Sequence, residues 1–255
     1  MQESDAPVKP YGTVLIKAKD ILDFLFARPD APTLSDISTG LHASKPTTLK
    51  ILTTMDMLGL VRRDSITKQY YLGTQLVAYA QKALASFDIS NIARPFLQEL
   101  RDQTGETINL GVIRDEKIVL IEKLESPASI KLQSTIGGTM NMYSSAMGKA
   151  VLSTYSRDHL KEYFESHQLQ PITNYTITSQ SKLIQNLKTI EETGVSIDNE
   201  ENEPDVFCLG ATIRKNDRIY GALSISTPKY RLPKERQTQF VRLLLNAQHS
   251  IENAL

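Results

Sequence analysis

Across 255 residues the chain carries 29 basic and 29 acidic side chains, a formal charge of zero, with 40% hydrophobic and 23% charged residues; this suits about two globular domains able to bury a core. One cysteine, Cys208, excludes an intrachain disulfide and a cysteine-based metal cluster, and the four histidines (His42, His159, His167, His249) lack ligand spacing, so neither metal nor cofactor is expected. No uncharged apolar run approaches the ~18 residues of a spanning helix, and MQESDAPVKPYG is polar and acidic where a signal peptide is basic and then apolar, so no membrane partner and a cytoplasmic location are expected.

Residues 1–10 read as a disordered tail, and residues 11–73 as one DNA-binding unit. Val14, Ala18, Ile21, Leu22 and Leu25 mark an amphipathic helix from Val14 to Arg28, closed by the breaker Pro29-Asp30-Ala31-Pro32. The next stretch, TLSDISTGLHASKPTTLK, predicts two short helices around a tight turn. Thr33 can cap the first, with Asp36 in its first turn and Leu34, Ile37 and Leu41 at helical spacing, and Gly40 ends it. Ser44 can cap the second, where Pro46 falls in the first turn and breaks no intrahelical bond. Leu49, Leu52 and Met55, with Ile51 beside them, form its apolar stripe. That leaves Lys45, Thr47, Thr48 and Lys50 outward at the end of a helix shaped to enter a major groove.

Gly59 to Arg63 and Gln69 to Gly73 then read as two strands around the polar turn Asp64 to Lys68, a wing set directly after the helix pair. From His42 to Gly73 the five basic residues Lys45, Lys50, Arg62, Arg63 and Lys68 meet only Asp56 and Asp64, a local balance of +3 in a neutral chain. A localised positive surface is what phosphate binding needs. The expected contacts to double-stranded DNA are Lys45, Pro46, Thr47, Thr48 and Lys50 on the helix, with Arg62, Arg63, Lys68 and Tyr70 on the wing.

Residues 74–91 read as a linker helix with Leu76, Val77, Ala80, Ala83, Leu84 and Phe87 at three- and four-residue spacing, a natural dimer contact between two DNA modules. Residues 92–255 change texture. A helix from Ile92 to Gln103 leads to a hairpin, Thr107 to Ile113 and Lys117 to Leu124, then a strand at Ile130 to Ile136 and helices at Ser144 to Tyr155 and Ser181 to Glu192. Strands at Val195 to Asp198, Val206 to Arg214 and Arg218 to Ser226 precede a closing helix from Pro233 to about Asn253. The order describes an α+β fold, an antiparallel sheet flanked by helices.

Several stretches resemble the IclR family of bacterial transcriptional regulators: Ala18-Lys19-Asp20-Ile21-Leu22, Ser44-Lys45-Pro46-Thr47-Thr48-Leu49, Tyr71-Leu72-Gly73, Ala146-Met147-Gly148-Lys149-Ala150, Gly194-Val195-Ser196-Ile197-Asp198 with Glu200-Glu201, and Gly221-Ala222-Leu223-Ser224-Ile225-Ser226. The resemblance spans nearly the whole chain. It implies a regulator, commonly a repressor, with an N-terminal winged helix-turn-helix and a C-terminal GAF/PAS-like effector-binding domain. It implies dimers through the N-terminal half and, in many members, tetramers. In members that bind small carboxylates such as glyoxylate or pyruvate, the pocket residues correspond here to Ala146, Met147, Asp198, Cys208, Ser224 and Ser226. Met147 departs from the small residue those members carry, which puts the ligand's identity in question.

The chemistry of these positions is coherent. Ser224 and Ser226 lie two apart on a strand, so both hydroxyls share a face and can donate to one carboxylate or keto oxygen. Helix-N-terminal amides near Ala146 can meet the other side of an anion. Asp198 cannot donate to an anion while ionised; it can accept from a ligand hydroxyl or hold neighbouring backbone. Cys208 is a small apolar wall rather than a nucleophile. Outside the resemblance, Ser-x-Ser is also ordinary strand decoration, and Asp198-Asn199-Glu200-Glu201 an ordinary solvated turn.

Two rival functions stand beside the sensor. Catalysis lacks an assembled motif: nine residues separate Gly138 from Gly148 where a P-loop has four, Ala150 has no hydroxyl, and Ser145 and Lys149 are separated by three residues, not the two of an acylating pair. A constitutive DNA binder with a structural C-terminal domain, or a sensor of a non-acid molecule, remains open.

Overall fold

A computed structural model describes residues 11–84, 88–129 and 132–255, in two compact units, residues 1–86 and 87–255. The expected tail, Phe87 and Ile130 lie outside the described residues.

The first unit runs α1 (Thr13–Phe26), α2 (Leu34–Gly40), α3 (Lys45–Met57), β1 (Val61–Arg63), β2 (Tyr70–Leu72) and α4 (Gln75–Leu84). Thr33 caps α2 through a reciprocal box, its hydroxyl meeting the Asp36 amide while the Asp36 carboxylate accepts the Thr33 amide at 2.9 Å. Gly40 has a packing role as well as a place at the end of α2. A Cβ there would come within 2.2 Å of the Phe24 ring, and the left-handed turn residue is His42 (φ 49°). Ser44 precedes α3 without a side-chain cap bond; its hydroxyl donates to Thr47 Oγ1 at 2.9 Å. The core gathers Ile21, Leu25, Ile37, Ile51, Leu52, Met55, Val61 and Tyr70. Val14 is 55% exposed, so the buried face of α1 begins about one turn later, at Ala18. Leu49 is exposed too, and Thr48 takes its expected place in the stripe that faces the core.

The second unit is a six-stranded antiparallel sheet in the order β5-β4-β3-β8-β7-β6, with β3 Thr107–Arg114, β4 Lys117–Leu124, β5 Thr139–Asn141, β6 Ser196–Asn199, β7 Val206–Lys215 and β8 Arg218–Pro228. Helices α5 (Asp88–Thr104) and α9 (Lys234–Ala254) pack together and against β3, β7 and β8. Helix α6 (Ala146–Leu152) contacts β6, β7, β8 and α8 (Gln180–Thr193). The core on this side joins Met147, Val151 and Leu152 of α6 to Ile118, Leu120, Tyr163, Leu183, Leu187 and Ile190.

Two local expectations give way. Residues 132–136 form no strand; the Leu132 and Ser134 carbonyls are taken by the Lys123 ammonium at 2.9 and 2.7 Å instead of a ladder, and the edge strand comes later, at β5. Arg157–Ser166, which no expected element covers, is helix α7, started by Ser156 Oγ accepting the His159 amide at 3.2 Å.

Candidate DNA-binding surface and effector cavity

On the first unit, Lys45, Pro46, Thr47 and Lys50 are exposed along the N-terminal half of α3. Thr48 is not among them. It is 2% exposed and donates its hydroxyl to the Ser44 carbonyl at 3.1 Å, because its position one turn before Leu52 points inward. Thr53 and Thr54 continue the exposed face beyond Lys50, as helical spacing allows one to find.

Arg62, Arg63 and Lys68 are exposed on the hairpin. Tyr70 is 2% exposed, part of the core, and so presents no surface for DNA. Its neighbourhood still serves the wing: the Arg63 guanidinium stands 5.6 Å from the Tyr70 ring and the Arg62 guanidinium 4.4 Å from the Tyr71 ring. The turn between the strands is wound about Asp64, whose carboxylate accepts the Ile66 and Thr67 amides, both at 2.8 Å, and is held below its ordinary pKa by them. Ile66 projects from that turn 88% exposed, an apolar tip visible as the one large apolar residue in an otherwise polar loop.

On the second unit, strand register brings distant residues into two rungs. Thr107, Ser226, Cys208 and Asp198 lie side by side across β3, β8, β7 and β6, and Asn109, Ser224, Gly210 and Ser196 form the rung beside it. Gly210 explains how α6 reaches the sheet. A Cβ there would lie 2.6 Å from the Ala146 backbone, and Ser196 Oγ donates to the Ala146 carbonyl. The six residues Ala146, Met147, Asp198, Cys208, Ser224 and Ser226 therefore line one cavity of about 290 Å³. The segment that read as a strand, residues 132–135, supplies a further wall.

Asn109 is the lining residue that sequence reasoning passes over. It is buried, its amide nitrogen donates to Ser226 Oγ at 3.1 Å and Ser224 Oγ at 3.4 Å, and its oxygen has no partner. Whichever way round that amide is set, one end engages the serines and the other is left without a partner. An asparagine within the apolar run Ile108 to Ile113 is the signal that marks it. At the α6 start, Ser145 Oγ accepts the Gly148 amide at 3.1 Å and its carbonyl accepts that of Lys149. The amides of Ala146 and Met147 stay outside that cap.

The acidic turn is buried, not solvated. Asp198 Oδ1 accepts the Glu201 amide at 2.8 Å and the Asn202 amide at 3.3 Å. Burial nonetheless pushes the Asp198 carboxyl up to about 7, against those bonds and the pull of Lys149. Lys149 itself is fully buried, donating to the Ile197 carbonyl at 2.6 Å and to the Glu201 carboxylate. Burial likewise raises the Cys208 thiol far above its ordinary value, and Ser226 bonds it, so no thiolate forms at neutral pH. Ser224 and Ser226 are buried as well, which removes the reading of both as strand decoration.

The IclR helix-turn-helix domain model matches residues 14–65, and the model of the bacterial transcriptional regulator IclR C-terminal domain matches residues 81–253. The chain belongs to the IclR family. Among its relatives, the DNA-binding transcriptional repressor YiaJ of Escherichia coli (strain K12) is 33% identical over all of this chain and 91% of its own length. The regulator KdgR of the same organism is 33% identical over 86% of this chain and 83% of its own. The crystal structure of the Thermotoga maritima IclR matches with a TM-score of 0.81 and 31% identity, covering 95% of this chain and 98% of that one. This IclR-family chain is thus a DNA-binding transcriptional regulator rather than an enzyme, with the α+β architecture of its relatives. No helix of the described residues is long and apolar enough to cross a membrane.

Proposed function

We propose that this regulator is a ligand-responsive repressor, that it binds a palindromic operator in the cytoplasm as a dimer or tetramer, and that a small carboxylate or keto metabolite in the cavity changes its affinity for DNA. One observation carries the sensor reading. Residues from β3, α6, the acidic turn, β7 and β8 converge on one small cavity, lined by the buried serines, Asn109 and Asp198. Two polar atoms of its wall, Asn109 Oδ1 and Ser134 Oγ, are buried without a partner, at a cost on the order of 1–3 kcal/mol each that a rearrangement around a ligand can relieve. The volume suits a metabolite of a few heavy atoms at the small end of known ligand sites. Met147 lies in the α6–α8 core, and its sulfur is the neighbour a Cβ at Gly111 would meet at 3.4 Å, so it forms floor as well as wall.

The DNA reading rests on Lys45, Pro46, Thr47 and Lys50 presented together with Arg62, Arg63 and Lys68 in a unit shared with DNA-binding relatives. The dimer reading rests on α4, whose Val77 and Ala80, three residues apart on the expected apolar face, are exposed.

The test begins with an operator selected from random duplexes and a library of small acids, keto compounds and neutral molecules screened for thermal stabilisation. A ligand at 100 times its Kd should add about 2.7 kcal/mol. A stabilising compound is expected to change operator affinity, and Ser224→Ala with Ser226→Ala to abolish that response while ligand-free operator binding stays within a few-fold of the parent. A response that survives the double substitution places the sensor elsewhere.

A further inference from the structure

The cavity combines donors for an anion with an unusual charge problem. Its lining includes two carboxyl groups, Asp198 and Glu203, and among the described residues no lysine, arginine or histidine. Nearby ammonium groups are already engaged: Lys149 by Glu201 and the Ile197 carbonyl, Lys123 by the Leu132 and Ser134 carbonyls with Glu125 at 3.7 Å. A carboxylate entering here gains hydroxyl and amide donors and no countercharge, while an ionised Asp198 repels it at close range in a site of low polarity.

Resting on the cavity as the effector site, we propose that a carboxylate ligand binds with Asp198 protonated, its carboxyl donating one hydrogen bond from Oδ2 to the ligand, so that binding above neutral pH takes up a proton from solvent. The geometry selects the atom. Oδ1 already accepts two backbone amides, from Glu201 and Asn202, which leaves Oδ2 as the oxygen that carries the proton. The groups around Asp198 agree with this assignment. Cys208 pairs with it across β6 and β7 and carries no charge, Ser226 beyond Cys208 is neutral, Glu201 and Glu203 on its own turn are acidic, and Lys149 of α6 is spent on Glu201. Burial has already moved the titration of Asp198 to about 7, so little further free energy is needed to protonate it there. Asp198 is then a binding residue that switches from acceptor to donor with pH, and the same cavity above that pH favours ligands that bring a hydrogen to it.

The experiment uses the full-length protein and matched probes: pyruvate, lactate and gluconate, each beside its uncharged amide. Affinities are measured by calorimetry at about pH 6 and about pH 8.5, in two buffers of different ionisation heat, for the parent and for Asp198→Asn. The expected result for a binding acid is a Kd that weakens toward about tenfold per pH unit above neutrality, with about one proton taken up at about pH 8.5 and little at about pH 6, while its amide shows neither effect. Asp198→Asn, whose amide can accept at Oδ1 and donate at Nδ2 at any pH, should bind the acid with a nearly constant Kd. Equal affinity of an acid at both pH values, or binding at about pH 8.5 without proton uptake, overturns the proposal. So does binding confined to uncharged probes; if that binding is lost in Ser224→Ala with Ser226→Ala, the sensor reading survives it. If nothing in the wider library binds in a manner dependent on those serines, both fall together.

Discussion

Thr48 and Lys50 stand two residues apart on α3, yet one is sealed in the core and the other faces out, and this separates two kinds of variant. Lys50→Ala and Arg62→Ala should each weaken binding to all duplexes alike and reduce the slope of log affinity against log salt by about one, with thermal stability nearly unchanged. Thr48→Ala loses a hydrogen bond to Ser44, and should cost about 1 kcal/mol of stability while leaving the salt slope as in the parent. Tyr70→Ala opens a hole in the core and should cost about 3 kcal/mol, again without a change of slope. Gel-shift titrations over a range of salt, with parallel denaturant melts, separate the two classes. Asp198 belongs to this scale also. Its folded pKa lies above the unfolded one, so the folded state keeps a proton that the unfolded chain has lost between about pH 4 and pH 7, and stability falls as pH rises through that window. Asp198→Asn should flatten that fall by on the order of 4 kcal/mol at most, read as the pH dependence of the denaturant midpoint.

At the scale of elements, α6 illustrates how a short helix becomes the keystone of a site. Its start is seated by Gly210, Ser196 and the Ser145 cap, its body by Met147 and Val151, and its only charge by Glu201. Gly210→Ala places a methyl against the Ala146 backbone, which cannot swing aside as a side-chain tip can. The expected cost is about 3 kcal/mol with loss of ligand stabilisation, and a variant as stable and responsive as the parent would show that α6 is seated otherwise. The acidic turn is held with comparable thoroughness: Thr173 and Thr176 hydroxyls donate to the Glu200 and Glu201 carbonyls at 2.6 and 2.7 Å, and Lys229 pairs with Glu200. Asp198 is thereby fixed relative to the serines across the sheet.

At the scale of the whole molecule, the proposed coupling between DNA affinity and ligand affinity is reciprocal by thermodynamic necessity. If an effector changes operator affinity by some factor, saturating operator must change effector affinity by the same factor, typically 1–3 kcal/mol of coupling. A cavity ligand that leaves operator affinity unchanged in equilibrium titrations would refute the proposed linkage. The proposed oligomerisation through α4 makes a second demand, because a two-fold pair of DNA modules reads two related half-sites. Val77→Asp with Ala80→Asp should shift sedimentation toward smaller species and lower operator affinity at least tenfold, since loss of one module's contacts multiplies Kd. An unchanged sedimentation profile would assign the contact to another surface.

The alternation of apolar and polar residues, the turn chemistry and the basic cluster were enough to read a winged helix-turn-helix, an α+β second domain and most of the outward side chains of α3. These are local properties, set by a period of 3.6 or 2 residues and by caps a few residues long. Motif resemblance singles out Ser224, Ser226, Asp198 and Ala146, which line one cavity. What only tertiary structure decided concerns partners far apart in sequence. Thr48 and Tyr70 turned inward because the core needed their faces. Residues 132–135 became a cavity wall because Lys123 took their carbonyls, and Asn109 joined the serines because β3 lies beside β8. Register and burial are set by the packing of whole elements, and so are the charge on Asp198 and the cavity around it; no window of neighbouring residues contains that information.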